Sequence, residues 1–380
     1  MPESPRGPLS EEDLVRLLTP AGERVADSAY DEWTAALDAD RLRTMYRDMV
    51  LVRRFDAEAT ALQRQGELGL WVPSLGQEGA QVGSAHALVA QDFVFPSYRE
   101  HGVAQVRGVD ALELLAMFRG VDHGGWDAVA LGMQGYTVVV GAQPLHAVGY
   151  AMGVQRDGLV GTGDSARDTA VITYFGDGAT SQGDIHEAMV FAAVNAAPVV
   201  FFCQNNQWAI SEPTTRQAAA PIADRATGYG IPSVRVDGND ALASYAVTAA
   251  ALHRARTGGG PTFVEALTYR MGAHTTSDDP TRYRDREQEE FWRRRDPVDR
   301  LRAYLERAGE LPEVFEAELA DEADALGERV RTGTRAMGRP DASAMFDHVY
   351  ATPHGVVDAE REWFAGYQAS FEAPTTGGTR

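Results

Sequence analysis

The chain has 380 residues, of which 44 % are hydrophobic and 24 % charged, a composition typical of a globular protein with one large domain or two modest ones. Its net charge of -20 argues against nucleic acid or an anionic membrane as partner, because both attract basic surfaces. Every basic residue is arginine, so the chain cannot form a lysine Schiff base, build a phosphate-loop lysine or carry a lipoyl group itself.

The sequence carries no evident targeting signal. No apolar run approaches the ~20 residues that a membrane helix needs. The segment from Met1 to Leu9 lacks the apolar core of a secretory signal. A single cysteine, Cys203, cannot form an internal disulfide, which fits a reducing compartment. We therefore expect a cytoplasmic protein.

The first predicted elements are an arm and two helices. Residues 1–40 are rich in Pro, Glu and Asp without periodicity, which indicates a mobile or extended N-terminal arm. From Ala39 to Gln65, apolar residues recur at intervals of three and four, which predicts a helix with one buried face. Residues 77–88 are rich in small side chains and predict a helix suited to close packing.

The centre of the chain alternates strands with helices. Strands are predicted at 171–175, 199–203, 234–236 and 262–266, and helices at 185–195 and 245–256. This alternation predicts an α/β fold with a mostly parallel central sheet and helices on both faces. Beyond Arg284 the chain is charged and helical. We expect three parts: an arm at 1–40, the main domain at 41–350, and a C-terminal helix with a flexible tail at 351–380.

The most specific pattern lies at the ends of two predicted strands. Gly176-Asp177-Gly178 follows the first of them, and Asn205-Asn206 ends the second. In a parallel sheet both positions lie at the carboxyl edge, where ligands bind. Glycines let the backbone approach a phosphate, and a helix beginning near Thr180 or Ser181 would offer N–H groups to an anion. Asp177 and the amide oxygen of Asn206 are hard ligands that suit Mg²⁺.

A Gly-Asp-Gly sequence alone would equally fit a plain turn from strand to helix. The asparagine pair at the end of the next strand favours the metal and diphosphate site over that alternative.

These two motifs match the thiamine diphosphate motif, and the chain resembles the α subunit of 2-oxo acid dehydrogenase complexes over roughly residues 40–350. The resemblance implies a thiamine diphosphate-binding fold of the diphosphate and metal type. Further motifs occur in the same order as in that family: Leu75-Gly76-Gln77-Glu78, Tyr98-Arg99-Glu100-His101-Gly102, Val236-Asp237-Gly238-Asn239-Asp240, Tyr269-Arg270-Met271-Gly272-Ala273-His274 and Ser277-Asp278-Asp279.

The resemblance implies a role for each matching residue. Mg²⁺ would be held by Asp177, the Asn206 side chain and the Trp208 backbone carbonyl. Tyr98 and Arg99 would contact the diphosphate, and an arginine fork suits phosphate geometry. The Val140 backbone would meet the aminopyrimidine ring. The remaining cofactor contacts would come from Gly176, Gly178, Ala179 and His274.

His274 is the candidate acid/base, because the unperturbed imidazole pKa suits proton transfer at neutral pH. The resemblance places it near the reactive carbon; otherwise it is a histidine that orders the loop at 272–284. His101, His123, His146 and His186 are weaker candidates, and His101 is expected to support the cofactor loop from behind.

Two positions depart from the family pattern. Some relatives carry an arginine at the position of Gln204 that reaches the diphosphate, and here that charge is missing. Some relatives bind K⁺ near residues 137–143, but Ala142 replaces a hydroxyl residue there, so we do not predict K⁺.

The implied reaction is oxidative decarboxylation of a 2-oxo acid, with the acyl group passed to the lipoyl arm of an acyltransferase component. Thiamine enzymes need a carboxylate against the aminopyrimidine, and this chain has no evident room for the second domain that carries it in single-chain relatives. The resemblance implies that a β subunit supplies this glutamate, in an assembly of two α and two β chains.

Several alternatives stay open. The segments 202–206, 209–213 and 276–280 resemble branched-chain more than pyruvate enzymes, so we expect a branched-chain substrate such as 3-methyl-2-oxobutanoate, with pyruvate as the alternative. A non-oxidative thiamine enzyme and a metal-dependent phosphate binder are the rival classes. Thr275 lies where some relatives are phosphorylated, although an unmodified loop hydroxyl is the expected state.

Overall fold

The structure is a computed structural model that describes residues 7–25, 29–122, 125–338 and 340–372. Its α-helices are α1 Asp31–Thr34, α2 Ala39–Arg64, α3 Glu78–His86, α4 His101–Val106, α5 Ala111–Arg119, α6 Ala128–Leu131, α7 Gln143–Arg156, α8 Gly183–Val194, α9 Thr214–Gln217, α10 Asp224–Thr227, α11 Ala241–Arg256, α12 Arg286–Arg293, α13 Pro297–Ala308, α14 Glu313–Ala336 and α15 Gly355–Glu372. Its strands are β1 Phe93–Phe95, β2 Val171–Gly176, β3 Val199–Asn205, β4 Trp208–Ala209, β5 Glu212–Pro213, β6 Ser233–Asp237 and β7 Thr262–Leu267.

Five strands form one parallel sheet in the order β1-β2-β3-β7-β6. The register pairs Gly176 of β2 with Gln204 of β3, and Gln204 with Ala266 of β7, so the carboxyl ends of these strands meet along one edge. Parallel neighbours need long crossover connections, and the helices between the strands supply them. The predicted α/β class is therefore confirmed.

Helices cover both faces of this sheet. On one face, side chains of α7 and α8 pack with Phe175 and Phe201 in a single buried cluster. On the other face, the Tyr174 hydroxyl lies 2.9 Å from the Ser84 hydroxyl of α3. Because successive side chains of a strand point to opposite faces, the contacts of Tyr174 and Phe175 place helices on both sides.

The small residues of α3 allow close packing against α11, as the sequence predicted. A Cβ atom added at Gly83 would lie 2.5 Å from the Ala241 carbonyl oxygen, so no larger residue fits without movement. Asp240 caps α11, its side chain accepting from the Ala243 backbone N–H. Helices α3 and α11 together support the sheet that carries the candidate site at its edge.

Most predicted elements are confirmed within a few residues, with one correction and several omissions. The helix expected to begin near Thr180 or Ser181 starts later, at Gly183, after a 3-10 turn at Asp177–Ser181. Gln182 has an extended backbone, with φ -84 and ψ 136, which separates the turn from the helix. The omissions include β1, which has three residues, and α7, whose small residues give a weak apolar period. Several helices and strands of two to nine residues were also not predicted.

The described part of the expected N-terminal arm contains turns and the short helix α1, and it is packed against the domain. Val15 forms a parallel bridge with Val236 at the edge of the sheet, and Leu17 and Leu18 are fully buried. The Asp240 carboxylate accepts from the backbone N–H groups of Leu17 (2.7 Å) and Leu18 (2.6 Å). Residues 1–6 and 26–28, also assigned to the arm, lie outside the described residues.

The chain divides into two compact units, residues 1–335 and 336–380. The first contains the sheet and the candidate site. The second contains a 3-10 turn at Ala342–Phe346 and α15, which is the expected C-terminal helix. The expected boundary at residue 350 falls inside the second unit, and the expected tail from residue 373 lies outside the described residues. Among the described residues, no helix has the length and apolarity needed to cross a membrane.

Candidate active site

The ends of two neighbouring strands bring Asp177 and Asn206 together. β2 ends at Gly176 and β3 at Asn205, and these strands pair in register through Gly176 and Gln204. Asp177 and Asn206 each follow their strand by one residue, so both lie at the carboxyl edge of the sheet. Both side chains are almost fully buried. The chain thus presents a carboxylate and an amide at the edge where open parallel sheets bind ligands.

The Asp177 carboxylate is held by two donors from α9. Its Oδ2 accepts from Thr214 Oγ1 (2.8 Å) and from Gln217 Nε2 (3.0 Å). Burial raises the pKa of Asp177, and these two hydrogen bonds oppose the rise because they favour the charged form. A buried, hydrogen-bonded carboxylate of this kind is a suitable oxygen ligand for a hard cation.

The backbone turns sharply after Asn206. Gln207 has φ 73, a left-handed conformation that is uncommon for a residue with a side chain. Its N–H donates to Asn205 Oδ1 (3.2 Å) and its Nε2 donates to the Thr268 carbonyl (2.8 Å), so both ends of the residue are tied down. Trp208 follows in β4, and its N–H donates to Asn206 Oδ1 (3.2 Å). The turn therefore holds the Asn206 amide oxygen against the backbone of Trp208, whose carbonyl accepts from Arg270 Nη1 (3.3 Å).

A cavity of about 460 Å³ opens over this edge of the sheet. All the predicted site residues contribute to its lining: Tyr98, Arg99, Val140, Gly176, Asp177, Gly178, Ala179, Asn206, Trp208 and His274. These residues come from five separate segments of the chain, which the fold brings together. The cavity continues past Leu70, Val72 and Phe118, which give one wall an apolar character.

Glu100 anchors the segment that carries Tyr98 and Arg99. Its Oε2 accepts from the Ser97 N–H (2.7 Å) and the Arg99 N–H (3.3 Å), and its Oε1 accepts from Gln204 Nε2 (2.7 Å). Burial raises the pKa of Glu100 to about 6, against the lowering effect of those hydrogen bonds. Gln204 thus pairs a neutral amide with a buried carboxyl.

His274 lies between two arginines. Its Nδ1 accepts from Arg99 Nη2 (3.1 Å) and lies 3.3 Å from Arg270 Nη1, and its backbone N–H donates to Asp278 Oδ2 (2.8 Å). Burial lowers the pKa of His274 to about 4, and the positive charges of Arg99 and Arg270 add to this effect. The imidazole is therefore neutral at pH 7, with Nδ1 occupied by the arginines and Nε2 left to carry the proton.

The weaker histidine candidates have other surroundings. The His101 ring bonds to the Val72 carbonyl and the Tyr136 hydroxyl and stacks on Trp71, so its expected role behind the cofactor loop stays a prediction. His186 lies near the Tyr229 hydroxyl and the Thr180 carbonyl, away from the lining. His146 is exposed and is not part of the lining. His123 lies outside the described residues.

Sequence reasoning missed several residues around the cavity. Thr214 and Gln217 bind Asp177 from a four-residue helix whose sequence carries no motif. Gln77 was quoted only as part of a motif, yet its Oε1 accepts from Asn206 Nδ2 (3.1 Å). Gln143 reaches the sheet, its Nε2 donating to the Tyr174 carbonyl (2.8 Å). The position of Gln77 within a quoted family motif was a usable signal of a site residue. The sequence of α9 offered no such signal.

The lining has features that fit a polar ligand carrying phosphate. Within the described residues, Gln77 Nε2, Gln143 Oε1 and Gln204 Oε1 are buried and have no partner in the protein. The Gln77 nitrogen can donate a hydrogen bond to a ligand or a water, and the two oxygens can each accept one. A Cβ atom at Gly176 would meet no atom within 4 Å, which leaves an open cradle in the lining. No group of three or more His, Cys, Asp or Glu side chains suited to a metal occurs in the described ranges. A cation here would need amide, carbonyl and phosphate oxygens beside Asp177.

The fold and the site define a parallel α/β protein with a ligand cavity at the carboxyl edge of its sheet. Residues 46–330 match the model of the family described as dehydrogenase E1 component, so the chain belongs to that family. It is 45 % identical over 361 residues to the 3-methyl-2-oxobutanoate dehydrogenase subunit alpha of Mycobacterium tuberculosis, covering 94 % of this chain and 95 % of that one. It is 40 % identical over 313 residues to the pyruvate dehydrogenase E1 component subunit alpha of Bacillus subtilis, covering 81 % and 80 %. The corresponding Bacillus cereus subunit is 38 % identical over 313 residues, covering 82 % and 81 %.

Proposed function

We propose that this chain is the α subunit of a thiamine diphosphate-dependent dehydrogenase that oxidatively decarboxylates a branched-chain 2-oxo acid such as 3-methyl-2-oxobutanoate. The main support is the single cavity lined by every predicted cofactor and metal residue. Family membership and the 45 % identity to a 3-methyl-2-oxobutanoate dehydrogenase subunit over nearly the whole chain support the same reaction.

Three protein oxygens would hold Mg²⁺: the Asp177 carboxylate, the Asn206 amide and the Trp208 carbonyl. Mg²⁺ prefers such hard oxygens and commonly shares them with the phosphates of a bound substrate or cofactor. Tyr98 and Arg99 would contact the diphosphate, with Gly176, Gly178 and Ala179 forming its floor. The Val140 backbone would meet the aminopyrimidine. The buried position of Asp177 and the open cradle at Gly176 support this set.

Thiamine diphosphate, when bound, supplies the carbanion and electron sink that decarboxylation of a 2-oxo acid requires. The chain's own contribution would be to exclude water, fix the metal and move a proton. His274 would move that proton: Nδ1 accepts from Arg99, so the proton of the neutral ring lies on Nε2. The apolar wall at Leu70, Val72 and Phe118 would accommodate an aliphatic side chain.

The enzyme would work as an assembly. We propose a β subunit that supplies the glutamate facing the aminopyrimidine, a heterotetramer of two α and two β chains, and transfer of the acyl group to the lipoyl arm of an acyltransferase component. The similar proteins named as alpha subunits support a partner chain. The reduced, buried Cys203 is consistent with a cytoplasmic site of action.

Pyruvate is the second candidate substrate, because pyruvate dehydrogenase alpha subunits match about four fifths of the chain at 38–40 % identity. A non-oxidative thiamine enzyme is the third candidate, and it would release free aldehyde as its product. The decisive assay uses the assembled α–β enzyme with Mg²⁺, thiamine diphosphate and a lipoyl acceptor. We expect a higher kcat/KM for 3-methyl-2-oxobutanoate than for pyruvate. A preference for pyruvate, or aldehyde release without use of the acceptor, would contradict the proposal.

A further inference from the structure

Asp177 is oriented by a segment that no cofactor motif includes. Thr214 and Gln217 stand at the two ends of α9, and both donate to the same carboxylate oxygen, Oδ2 of Asp177. Thr214 is fully buried, so its hydroxyl cannot exchange this bond for one to water. With Oδ2 fixed by two donors, the carboxylate cannot rotate freely, and Oδ1 is the oxygen left for another ligand.

The position of the Thr214 proton follows from its neighbours. The hydroxyl lies 2.8 Å from Asp177 Oδ2 and 3.1 Å from Asn205 Oδ1, and it has a single proton to give. The charged and closer acceptor, Asp177, receives it. Asn205 keeps its own amide orientation because its Nδ2 donates to Glu265 Oε1 (2.8 Å), a carboxylate that is fully buried.

Backbone contacts fix α9 relative to the candidate metal turn. The Thr214 N–H donates to the Gln207 carbonyl (3.0 Å), which lies between Asn206 and Trp208 in sequence. Gln217 Nε2 also reaches the Glu212 carbonyl (3.3 Å), at the start of the hairpin strand β5. The same short helix therefore holds the turn and the carboxylate that would share one cation.

We propose that Thr214 and Gln217 are positioning residues that orient Asp177 for a divalent cation, so that they determine metal affinity rather than cofactor recognition. This inference rests on the proposed function, because it assumes that Asp177 binds the cation. Neighbours that hydrogen-bond a metal-binding carboxylate fix its geometry, and their loss typically weakens metal binding by about 10- to 100-fold.

The test is a titration of Mn²⁺, followed by electron paramagnetic resonance, into the assembled α–β enzyme at saturating thiamine diphosphate. For Thr214→Val, which keeps the side-chain shape and removes the donor, we expect about 10-fold weaker Mn²⁺ binding. Thr214→Ser restores the hydroxyl and should restore the affinity. Thiamine diphosphate affinity at saturating metal should stay at the wild-type value in both.

Two further variants keep the result interpretable. Thr248→Val is the matched control: Thr248 is fully buried, and its hydroxyl donates to the Ser244 carbonyl in α11, so it should lose similar stability without weaker Mn²⁺ binding. Gln217→Met removes the second donor at a partly exposed position and provides an independent test if Thr214→Val fails to fold.

The variant Asp177→Ala distinguishes a failure of the positioning role from a failure of the proposed function. If Asp177→Ala abolishes Mn²⁺ binding while Thr214→Val and Gln217→Met bind as wild type, the positioning role is wrong and the proposed function stands. If Asp177→Ala also binds normally, the metal site itself is wrong, and the proposed function fails with it.

Discussion

Arg99 donates from one guanidinium nitrogen, Nη2, to both the Nδ1 ring nitrogen (3.1 Å) and the backbone carbonyl (3.0 Å) of His274. An arginine N–H can only donate, so Nδ1 must be an acceptor and the neutral tautomer carries its proton on Nε2. Burial is the main cause that lowers the His274 pKa to about 4, and the positive charge of Arg99 lowers it further. Arg99, the expected diphosphate contact, is thus hydrogen-bonded to His274, the expected acid/base.

The first prediction concerns this link. Above pH 5 His274 is neutral, so its protonation should not limit the wild-type rate until the pH approaches 4. Arg99→Gln removes a nearby positive charge, which should raise the His274 pKa and move the acid limb of the kcat profile upward by about 1 pH unit. The profile is measured at saturating cofactor, with the surface variant Arg293→Gln as control. An unmoved acid limb in Arg99→Gln would mean that the limb does not report on His274.

The second prediction concerns a positive charge introduced at position 204. Gln204→Arg would place a guanidinium beside the buried Glu100, lowering the Glu100 pKa from about 6 and adding a cation to the diphosphate pocket. We expect thiamine diphosphate to bind a few-fold more tightly, with a steeper salt dependence. Gln204→Met has no charge and should not tighten binding. Calorimetry at two salt concentrations measures both variants; equal affinities would place residue 204 away from the diphosphate.

The third prediction contrasts two glycines of the proposed phosphate loop, Gly176 and Gly178. At Gly176 an added Cβ meets nothing within 4 Å, whereas at Gly178 it lies 2.7 Å from the Ala209 Cβ. Gly176→Ala should fold normally and weaken cofactor binding, because its methyl group enters the cavity. Gly178→Ala should in addition displace the β4–β5 hairpin and lower the free energy of unfolding by about 1–3 kcal/mol. Thermal unfolding and calorimetry separate the two effects, with Gly149→Ala, at an open position, as the control.

The fourth prediction concerns the packed N-terminal segment. Asp240 accepts from Leu17 and Leu18 and also caps α11, so Asp240→Ala removes three hydrogen bonds at a buried site. We expect a loss of about 2–4 kcal/mol in the free energy of unfolding and faster proteolysis within residues 7–25. Asp358→Ala, near the start of α15, serves as control. Protease resistance equal to that of wild type would show that other contacts hold the segment.

The sequence contained enough information to predict the sheet and the ligands that follow its strands. Asp177 and Asn206 could be found because strand ends are marked by short-range features: an apolar run, then glycine or asparagine. The burial of side chains in the N-terminal arm could not be predicted in the same way. Leu17 and Leu18 stand in a Pro- and Glu-rich stretch, and their fit depends on Asp240, more than 200 positions away.

The missed site residues have the same physical origin. Thr214 and Gln217 carry common side chains in a four-residue helix, and only the folded chain brings them to Asp177. The 3-10 turn at Asp177–Ser181 could not be predicted from the periodicity of apolar residues either, because it depends on the extended backbone of Gln182. Patterns along the chain therefore located the candidate ligands, and long-range contacts located the residues that hydrogen-bond to them.

The most direct test of the account is a calorimetric titration of thiamine diphosphate with Mg²⁺ into the assembled α–β enzyme, comparing wild type with Asp177→Ala. The account predicts saturable, Mg²⁺-dependent binding in wild type and its loss in Asp177→Ala, while both proteins show the same assembly and thermal stability. Equal binding in the two would contradict the metal site and, with it, the proposed function.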